Sequence, residues 1–410
     1  MKRLTVEQVR AEFPITRECV YLDTAYHGPF PTRAANAIKE FAEGKSTQPF
    51  PNGRQDVILQ RVETIRGKVA ALLGVSESEI WFPKSTTDAQ AIVASALLRP
   101  GDQIVVGGLE HPANYTVWAA LAGRGVKVTV VPHRNGRMDP ADIESALTPS
   151  ARAIGLCLVN TYNGYRQDLG ALQGLARRHG LYLVLDAIQG MGHLNIDLSS
   201  GDVTSMAAGA YKWFCAPEGL AVAYLNRKVV ASITPERVHF YNADVHGPEG
   251  WKGVIASMLE HGHAQDKPFD LEPGMVSLRG DARRLESAPS VVSLIGLEAV
   301  VDIMTEFGGM KAVEKRVLEL GAKLRAALAE HGHMVISDTD PAHMSGITSV
   351  QVTDGQAFAA FASTRGVHVP PVVATKQGAQ AVRVSPHFFN NEEDIAAFVE
   401  AMNAFRAKRG

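Results

Sequence analysis

The first two-thirds of the chain alternate short, continuously apolar runs with longer amphipathic stretches. The runs are rich in valine, isoleucine and leucine and lie at 103–106, 126–131, 153–159 and 181–185. Continuous apolarity predicts strands that are covered on both faces. Apolar residues recur at helical spacing between them, at 56–73, 87–98 and 169–178. This alternation predicts an α/β protein with a mostly parallel, seven-stranded type of sheet and right-handed crossovers.

The pattern changes after residue 287. Two long helices, at 290–307 and 309–331, are expected before a shorter alternation of strand and helix that ends in a helix at 392–408. A chain of 410 residues, 46% of them hydrophobic, is long enough to bury two cores. We therefore expect an N-terminal segment, a large domain and a smaller α/β C-terminal domain, at 1–16, 17–280 and 281–410.

Charge and cysteine content exclude several classes of protein. The net charge of -2 and the pI of about 6.7 give no reason to expect nucleic acid or anionic lipid as a partner. Three cysteines are too few for a secreted disulfide framework and favour a reducing compartment. The N-terminus is charged where a signal peptide would be apolar, and no apolar run approaches the ~20 residues that span a bilayer. We expect a cytoplasmic enzyme.

In sheets of this kind ligands bind beyond the carboxyl ends of the strands. That rule points to the loops that begin near residues 84, 108, 160, 186 and 208. The apolar run at 181–185 ends abruptly in the carboxylate of Asp186. Such a residue commonly caps a turn, but a carboxylate is also the group that keeps a pyridinium nitrogen protonated.

Lys212 follows Asp186 in an unusual setting, among small and aromatic residues rather than polar ones. A lysine that forms a Schiff base needs such desolvation, because its amine must be neutral to act as a nucleophile. The separation of the two residues leaves room for one more strand. Together they indicate a pyridoxal-phosphate (PLP) site much more specifically than either does alone.

From these residues onward the chain resembles the class V aminotransferases, a family of fold-type-I PLP enzymes that includes cysteine desulfurases, isopenicillin N epimerase and C–S lyases. The motifs that carry the resemblance lie at 21–24, 85–88, 110–114, 159–160, 164–168, 186–189, 211–213 and 382–387. The resemblance implies that PLP is held as a Schiff base on Lys212, with Asp186 paired to the pyridine nitrogen. It also implies a homodimer, because the family builds its sites at a subunit interface.

The resemblance assigns roles to the residues around the cofactor. It assigns binding of the cofactor phosphate to a helix N-terminus at Ser85, Thr86 and Thr87, because helix N-termini bind anions. His111 matches the residue that stacks on the pyridine ring. The family often has serine and histidine near the phosphate where this chain has Gly209 and Tyr211, and we expect the Tyr211 hydroxyl to replace the histidine.

Other positions face the substrate. Gln189 and Asn160 match groups that contact the phenolic oxygen of the cofactor and the substrate side of the site. Arg383 is at the position expected to clamp an α-carboxylate through a bidentate fork. The pairs of histidines at 261 and 263 and at 331 and 333 have no convergent third ligand, so we expect no metal.

The expected chemistry begins when a substrate amine displaces Lys212 from the Schiff base, after which the released Lys212 removes the Cα proton of the amino acid. Elimination, transamination and epimerisation all follow from that step and use the same residues, so the sequence leaves the choice open. We favour β-elimination by a C–S lyase of sulfur or secondary metabolism. A non-catalytic regulatory protein of the same fold is the alternative from another class, and the presence of Lys212, Asp186 and Arg383 argues against it.

One segment lacks a residue that desulfurases carry. Their nucleophilic cysteine lies on a loop shortly before the position of Arg383, and residues 372–382 here contain no cysteine. Formation of a persulfide needs a thiolate that can reach the substrate sulfur. This absence predicts a protein that is not a typical persulfide-forming cysteine desulfurase.

Overall fold

A computed structural model describes residues 3–49, 55–238, 241–246, 276–370, 373–374 and 380–409. The helices in these ranges are α1 (Val6–Glu12), α2 (Ile15–Glu18), α3 (Thr32–Thr47), α4 (Gln55–Leu73), α5 (Thr86–Leu97), α6 (Pro112–Ala122), α7 (Pro140–Ser145), α8 (Leu169–His179), α9 (Val291–Phe307), α10 (Gly309–Glu330), α11 (Gly355–Ser363) and α12 (Glu392–Arg409). The strands are β1 (Val20–Tyr21), β2 (Ile80–Trp81), β3 (Gln103–Gly107), β4 (Lys127–Val131), β5 (Ala151–Cys157), β6 (Tyr182–Asp186), β7 (Ser205–Gly209), β8 (Ala221–Leu225), β9 (Ala243–Val245), β10 (Val276–Leu278), β11 (Thr348–Val352), β12 (Val367–His368), β13 (Val373–Ala374) and β14 (Gln380–Val384).

The large sheet has seven strands in the order β2-β8-β7-β6-β5-β3-β4. Strand β8 pairs antiparallel with both of its neighbours, and the other pairs are parallel. Alternate residues of each inner strand enter different hydrophobic clusters, as Val105 and Val106 of β3 do. The sheet is thus covered on both faces, which is why its strands are continuously apolar. The predicted α/β architecture with a mostly parallel sheet is confirmed.

Helix α9 packs against α3 and α4, in the same hydrophobic cluster as one face of the large sheet. Its apolar residues lie on almost every side of the helix, from Leu294 and Leu297 to Val300 and Ile303, so it needs cover all round. The division of the chain at residue 281 remains a prediction. The core around the large sheet nevertheless continues past residue 281 into α9 and the first part of α10. Only the later part of α10 packs in the separate C-terminal core.

The C-terminal core is built on the antiparallel sheet β11-β14-β13. Leu320, Leu324 and Leu328, one helical turn apart on α10, pack there with residues of α11 and α12. The N-terminal strand β1 also belongs here, because it pairs in parallel with β12. Next along the chain, Asp23 forms a bridge with Ser385 before the backbone returns to the large sheet.

No helix in the described ranges is long and apolar enough to cross a membrane. Within the same ranges no three histidine, cysteine or acidic side chains converge to hold a metal ion. His333 bonds instead to Asn403, with 2.9 Å between Nε2 and Oδ1. The histidines at 261 and 263 lie outside the described residues.

Candidate active site

A cavity of about 470 Å³ lies beyond the carboxyl ends of the central strands, where the sequence predicts the ligand site. Its volume is in the usual range for a cofactor or small-molecule site. The sequence-predicted residues that line it are Ser85, Thr86, Thr87, His111, Asp186, Gln189, Tyr211, Lys212 and Arg383. The remaining predicted residue, Asn160, is buried and does not line the cavity.

One wall of the cavity is the N-terminus of α5. Ser85 caps the helix, and its Oγ accepts a hydrogen bond from the backbone N–H of Asp88 at 3.0 Å. The hydroxyl of Thr86 accepts from the N–H of Gly209 at 2.8 Å, which ties the helix to the end of β7. The first N–H groups of a helix have no intrahelical partners. Because Thr86 and Thr87 line the cavity, this wall suits a phosphate.

Asp186 is the last residue of β6 and is 6% exposed. Its Oδ1 accepts from the N–H of Ile188 at 2.9 Å. Burial raises the pKa of this carboxyl to about 6, although the bond from Ile188 and the charge of Lys212 oppose the shift. A buried carboxylate in this state gains from a cationic partner such as a pyridinium.

Lys212 follows β7 and is partly buried. Burial and the positive charge of Arg383 lower the pKa of its amine to about 8, against the opposing effect of Asp186 and Asp23. A lysine with this pKa is partly neutral near physiological pH and can act as a nucleophile or base.

Gly28 packs directly against the backbone of Lys212. A Cβ atom at position 28 would lie 2.0 Å from the carbonyl oxygen of Lys212, so no other residue fits without displacing the lysine loop. The N–H of Gly28 also donates to the carbonyl of Tyr211 at 2.7 Å. Gly28 thus fixes the backbone from which Lys212 extends.

His111 is the N-cap of α6, and its Nδ1 accepts from the N–H of Ala113 at 3.2 Å. Partial burial and the charges of Lys212 and Arg383 lower the pKa of His111, so the ring is neutral at physiological pH. Because Nδ1 is the acceptor, the proton of the neutral ring lies on Nε2. A neutral ring at the edge of the cavity fits the stacking role that the resemblance implies.

The two departures from the family pattern beside the lysine are linked. A Cβ atom at Gly209 would lie 2.8 Å from Cε1 of Tyr211, so the tyrosine ring occupies the space that a serine side chain would need. The same ring lies beside the lysine, with 5.8 Å between Nζ of Lys212 and the ring centroid. With the ring in this position, a side chain at 209 would have to displace it.

Arg383 lies on β14 and is 8% exposed. Its Nη1 donates to the carbonyl oxygen of Thr161 at 3.2 Å and to Oγ1 of the same residue at 3.0 Å. Its Nη2 lies 3.7 Å from Oδ1 of Asp23. Among the described residues, Nε of Arg383 and Oδ1 of Asp23 are both buried without a hydrogen-bond partner. Arg383 also lines the cavity, where a guanidinium can bind a carboxylate.

The two predicted amide side chains are held by the protein itself. Nε2 of Gln189 donates to the carbonyl of Ala25 at 2.9 Å and to Oγ1 of Thr161 at 3.1 Å, and Oε1 accepts from the indole N–H of Trp213 at 2.8 Å. A bond from Gln189 to the cofactor would have to replace one of these donations. Asn160 donates to the carbonyl of Leu109 at 3.0 Å and shapes its loop.

Sequence reasoning did not single out three residues that also line the cavity. Thr161 contacts both Gln189 and Arg383, while His27 and Glu218 form a hydrogen bond with 2.6 Å between Nε2 and Oε1. The hydrogen bond from His27 lowers the pKa of Glu218. No local sequence pattern identifies these three positions, because contacts with distant parts of the chain place them in the site.

The fold and this site define a fold-type-I PLP enzyme. The family model described as aminotransferase class-V matches residues 20–247 and 270–398, and the chain belongs to that family. The probable cysteine desulfurase of Methanothermobacter thermautotrophicus (strain Delta H) is 26% identical over 97% of this chain and 98% of its own length.

Solved structures with the same fold include an apo cysteine desulfurase from Thermococcus onnurineus NA1. It has a TM-score of 0.82 and 21% identity, over 99% of both chains. The cystine C–S lyase C-DES has been solved with its reaction product cysteine persulfide, and a lysine-to-alanine mutant of it with glycine linked to its PLP cofactor. Both C-DES structures give a TM-score of 0.80 and 21% identity, over 95% of this chain and 98% of theirs.

PLP is the cofactor of this family and of this chain. The residues present fit it: an anion-binding helix terminus, a buried carboxylate that gains from a cation, and a lysine of lowered pKa line a single cavity. The residues that would hold it are Thr86 and Thr87 for the phosphate, Asp186 for the ring nitrogen and Lys212 for the covalent link.

The expectation that excluded persulfide-forming cysteine desulfurases is wrong. The relative from Methanothermobacter thermautotrophicus, which matches almost the whole chain, bears the name cysteine desulfurase, and C-DES was solved with a persulfide product. The exclusion relied on one residue type missing from one segment, 372–382, most of which lies outside the described residues. A missing side chain in one loop is a weaker guide to chemistry than similarity along the whole chain.

Proposed function

We propose that this protein cleaves the C–S bond of a sulfur-containing amino acid after removing its Cα proton. The observation that carries the proposal is the arrangement within one cavity of Lys212, with its lowered pKa, the buried Asp186 and the guanidinium of Arg383. An amine base, an electron-sink partner and a carboxylate clamp are the groups that such a reaction requires. The names of the relatives support sulfur chemistry.

Each residue has a definite task in this reaction. The guanidinium of Arg383 binds the α-carboxylate and orients the Cα–H bond toward Lys212. When bound, PLP supplies the electron sink that makes the Cα proton acidic. Nζ of Lys212 accepts that proton, and its lowered pKa keeps it competent as a base near neutral pH. The carboxylate of Asp186 stays ionised beside the ring nitrogen and holds the positive charge there.

We further propose that the protein works as a cytoplasmic homodimer. The family resemblance implies sites at a subunit interface. Tyr26, which lines the cavity, is 67% exposed, so a second subunit placed over the cavity would cover it. Sedimentation of the purified holoenzyme at twice the monomer mass would support this, and a monomer at micromolar concentration would contradict it.

The reaction type is tested by incubating the holoenzyme with L-cysteine, L-cystine and S-substituted cysteines in heavy water. We expect release of the substrate sulfur as sulfide, thiol or persulfide, with no need for an added keto acid. Lys212→Ala is the matched inactive control.

Other products would identify the alternatives. Transamination would convert the cofactor to its amine form until a keto acid is added. Epimerisation would introduce deuterium at Cα with inversion and would need a second base, for which His111 and Tyr211 are the candidates. If neither sulfur release nor any of these changes occurs across substrates that bind, the non-catalytic alternative returns.

Arg383→Ala tests the carboxylate clamp. We expect the concentration of L-cysteine that half-saturates the spectral change of the bound cofactor to rise by roughly 10-fold or more, because a hydrogen-bonded ion pair is lost. Cysteamine, which has the same thiol and amine but no carboxylate, should bind almost as before. Arg152→Ala is the control, since Arg152 is an exposed arginine that pairs with Asp102 at 3.6 Å. Equal weakening of both ligands would contradict the clamp.

A further inference from the structure

The hydroxyl of Thr161 contacts Gln189 and Arg383, and Thr161 lines the cavity. Nε2 of Gln189 lies 3.1 Å from Oγ1, and Nη1 of Arg383 lies 3.0 Å from the same atom. Gln189 in turn bonds to Trp213, the neighbour of Lys212. A chain of hydrogen bonds therefore connects the lysine loop with the arginine of the small sheet, and Thr161 is its exposed link in the cavity wall.

The direction of each bond in this chain is fixed by chemistry. The indole N–H of Trp213 is only a donor, so the Gln189 atom that it contacts is the amide oxygen. The carbonyl of Ala25 is only an acceptor, so the atom that contacts it is the amide nitrogen. Two independent partners thus agree on the orientation of the amide. Gln189 donates to Thr161.

Arg383 also donates to Thr161, since a guanidinium has no acceptor. The oxygen of a hydroxyl group has two lone pairs, and both are occupied here by N–H donors. The hydroxyl proton cannot be shared with either partner and has to point elsewhere. Within the described part of the chain no hydrogen bond donated by this hydroxyl is present, and the residue lines the cavity.

We propose that Thr161 binds the substrate directly, donating its hydroxyl proton to the same α-carboxylate that Arg383 holds. This inference depends on the carboxylate clamp of the proposed function. An acceptor anion in the cavity beside Arg383 takes the hydroxyl proton of Thr161. A carboxylate has about four lone-pair sites, enough for both the arginine and the threonine. Thr161 is then a determinant of specificity for α-amino acids over simple amines.

The variant that removes this bond is Thr161→Val, which also removes the oxygen that accepts from Gln189 and Arg383. Valine keeps the shape of threonine and removes only the hydroxyl group. The backbone carbonyl of residue 161 still accepts from Nη1 of Arg383 at 3.2 Å, and that of Ala25 still accepts from Gln189 at 2.9 Å. Thr161→Ser restores the donor. Thr64→Val is the matched control, because the Thr64 hydroxyl bonds to the Gln60 carbonyl on an exposed helix surface.

Binding is measured on cofactor-loaded protein by titrating L-cysteine and cysteamine and following the spectrum of the bound cofactor. We expect Thr161→Val to weaken L-cysteine roughly 10-fold or more, the usual effect of losing a hydrogen bond to a charged group. Cysteamine should change less than about twofold, because it lacks the group that the hydroxyl binds. The serine variant should recover most of the affinity for L-cysteine, and Thr64→Val should match the wild type for both ligands.

Comparison of L-cysteine with cysteamine shows whether this inference or the proposed function has failed. If Arg383→Ala discriminates between cysteine and cysteamine but Thr161→Val does not, the clamp stands and the threonine contact is wrong. If Thr161→Val weakens both ligands equally, or shifts the spectrum of the unliganded holoenzyme, the hydroxyl serves the cofactor and the inference is overturned. If neither variant discriminates, the clamp itself is wrong.

Discussion

Lys212→Ala is expected to reduce the turnover rate roughly 1,000-fold or more, because the variant loses both the covalent link to PLP and the base that removes the Cα proton. The visible absorbance band of the linked cofactor and its borohydride-trapped adduct should disappear together. The fold should survive, since the backbone bond from Cys215 to the carbonyl of residue 212, 3.0 Å long, does not use the side chain. Circular dichroism and the thermal midpoint check this.

The control is Lys39→Ala, which removes a surface lysine that is 72% exposed. A borohydride adduct that maps to any lysine other than Lys212 would refute the assignment.

The same residue sets the pH dependence of cofactor capture by the apoprotein. The amine must be neutral to attack PLP, and burial lowers the pKa of Lys212 to about 8. As the pH rises the neutral fraction grows, so the capture rate should rise with a midpoint near 8 and then level off. A lysine in water would give a rate that still rises above pH 10. Stopped-flow measurement of the absorbance band would distinguish the two, and a rate still rising at pH 10 would contradict the desolvated amine.

Asp186→Ala should slow Cα deprotonation by roughly 100-fold or more while weakening PLP binding much less. The carboxylate favours a protonated ring nitrogen, and each unit of pKa on that nitrogen corresponds to about 1.4 kcal/mol. Exchange of the Cα proton of a bound amino acid in heavy water measures the step directly. Asp302→Ala, at a surface ion pair with Lys68, is the control. Near-normal exchange in the Asp186 variant would exclude the electron-sink role.

Asp186→Asn is expected to raise the stability of the apoprotein at high pH, although Asp186→Ala is expected to slow catalysis. Burial raises the folded-state pKa of Asp186 from 3.8 to about 6, so the protonated form is preferred in the folded state. The stability linked to this group is present below pH 4 and is lost as the pH rises through 6, at a cost on the order of 1–3 kcal/mol. Asparagine has no charge to bury. The apo variant should therefore melt higher than the wild type at pH 8, and the difference should shrink toward pH 4.

Local signals predict the parts of the site that depend on local chemistry. Asp186 ends a continuously apolar strand and Lys212 lies in apolar surroundings, so each can be identified from its neighbours in the sequence. Strands β3, β5 and β6 are predicted to within two residues, because their burial on both faces leaves an apolar run. The expectation that the run at 126–131 is covered on both faces is wrong, because β4 is an edge strand with Lys127 and Val130 exposed.

Features that depend on contacts between distant segments give no such signal. Strand β1 has only two residues and shows no periodicity, so its pairing with β12 cannot be anticipated. Thr161 contacts two residues far away in sequence, and its role follows from the direction of their hydrogen bonds. Asn160, adjacent to it, is turned toward the carbonyl of Leu109 instead of the cavity.

The pairing of β1 with β12 has a consequence for the order in which the protein matures on the ribosome. Val20 is synthesised long before its partner Val367. At ordinary elongation rates of ~5–20 residues per second, strand β1 waits on the order of tens of seconds for that partner. Gly28, which contacts the backbone of Lys212, lies shortly after this strand. The strand that leads into the lysine contact is therefore paired only after residue 367 has been synthesised, and on ribosomes stalled before that residue β1 has no partner.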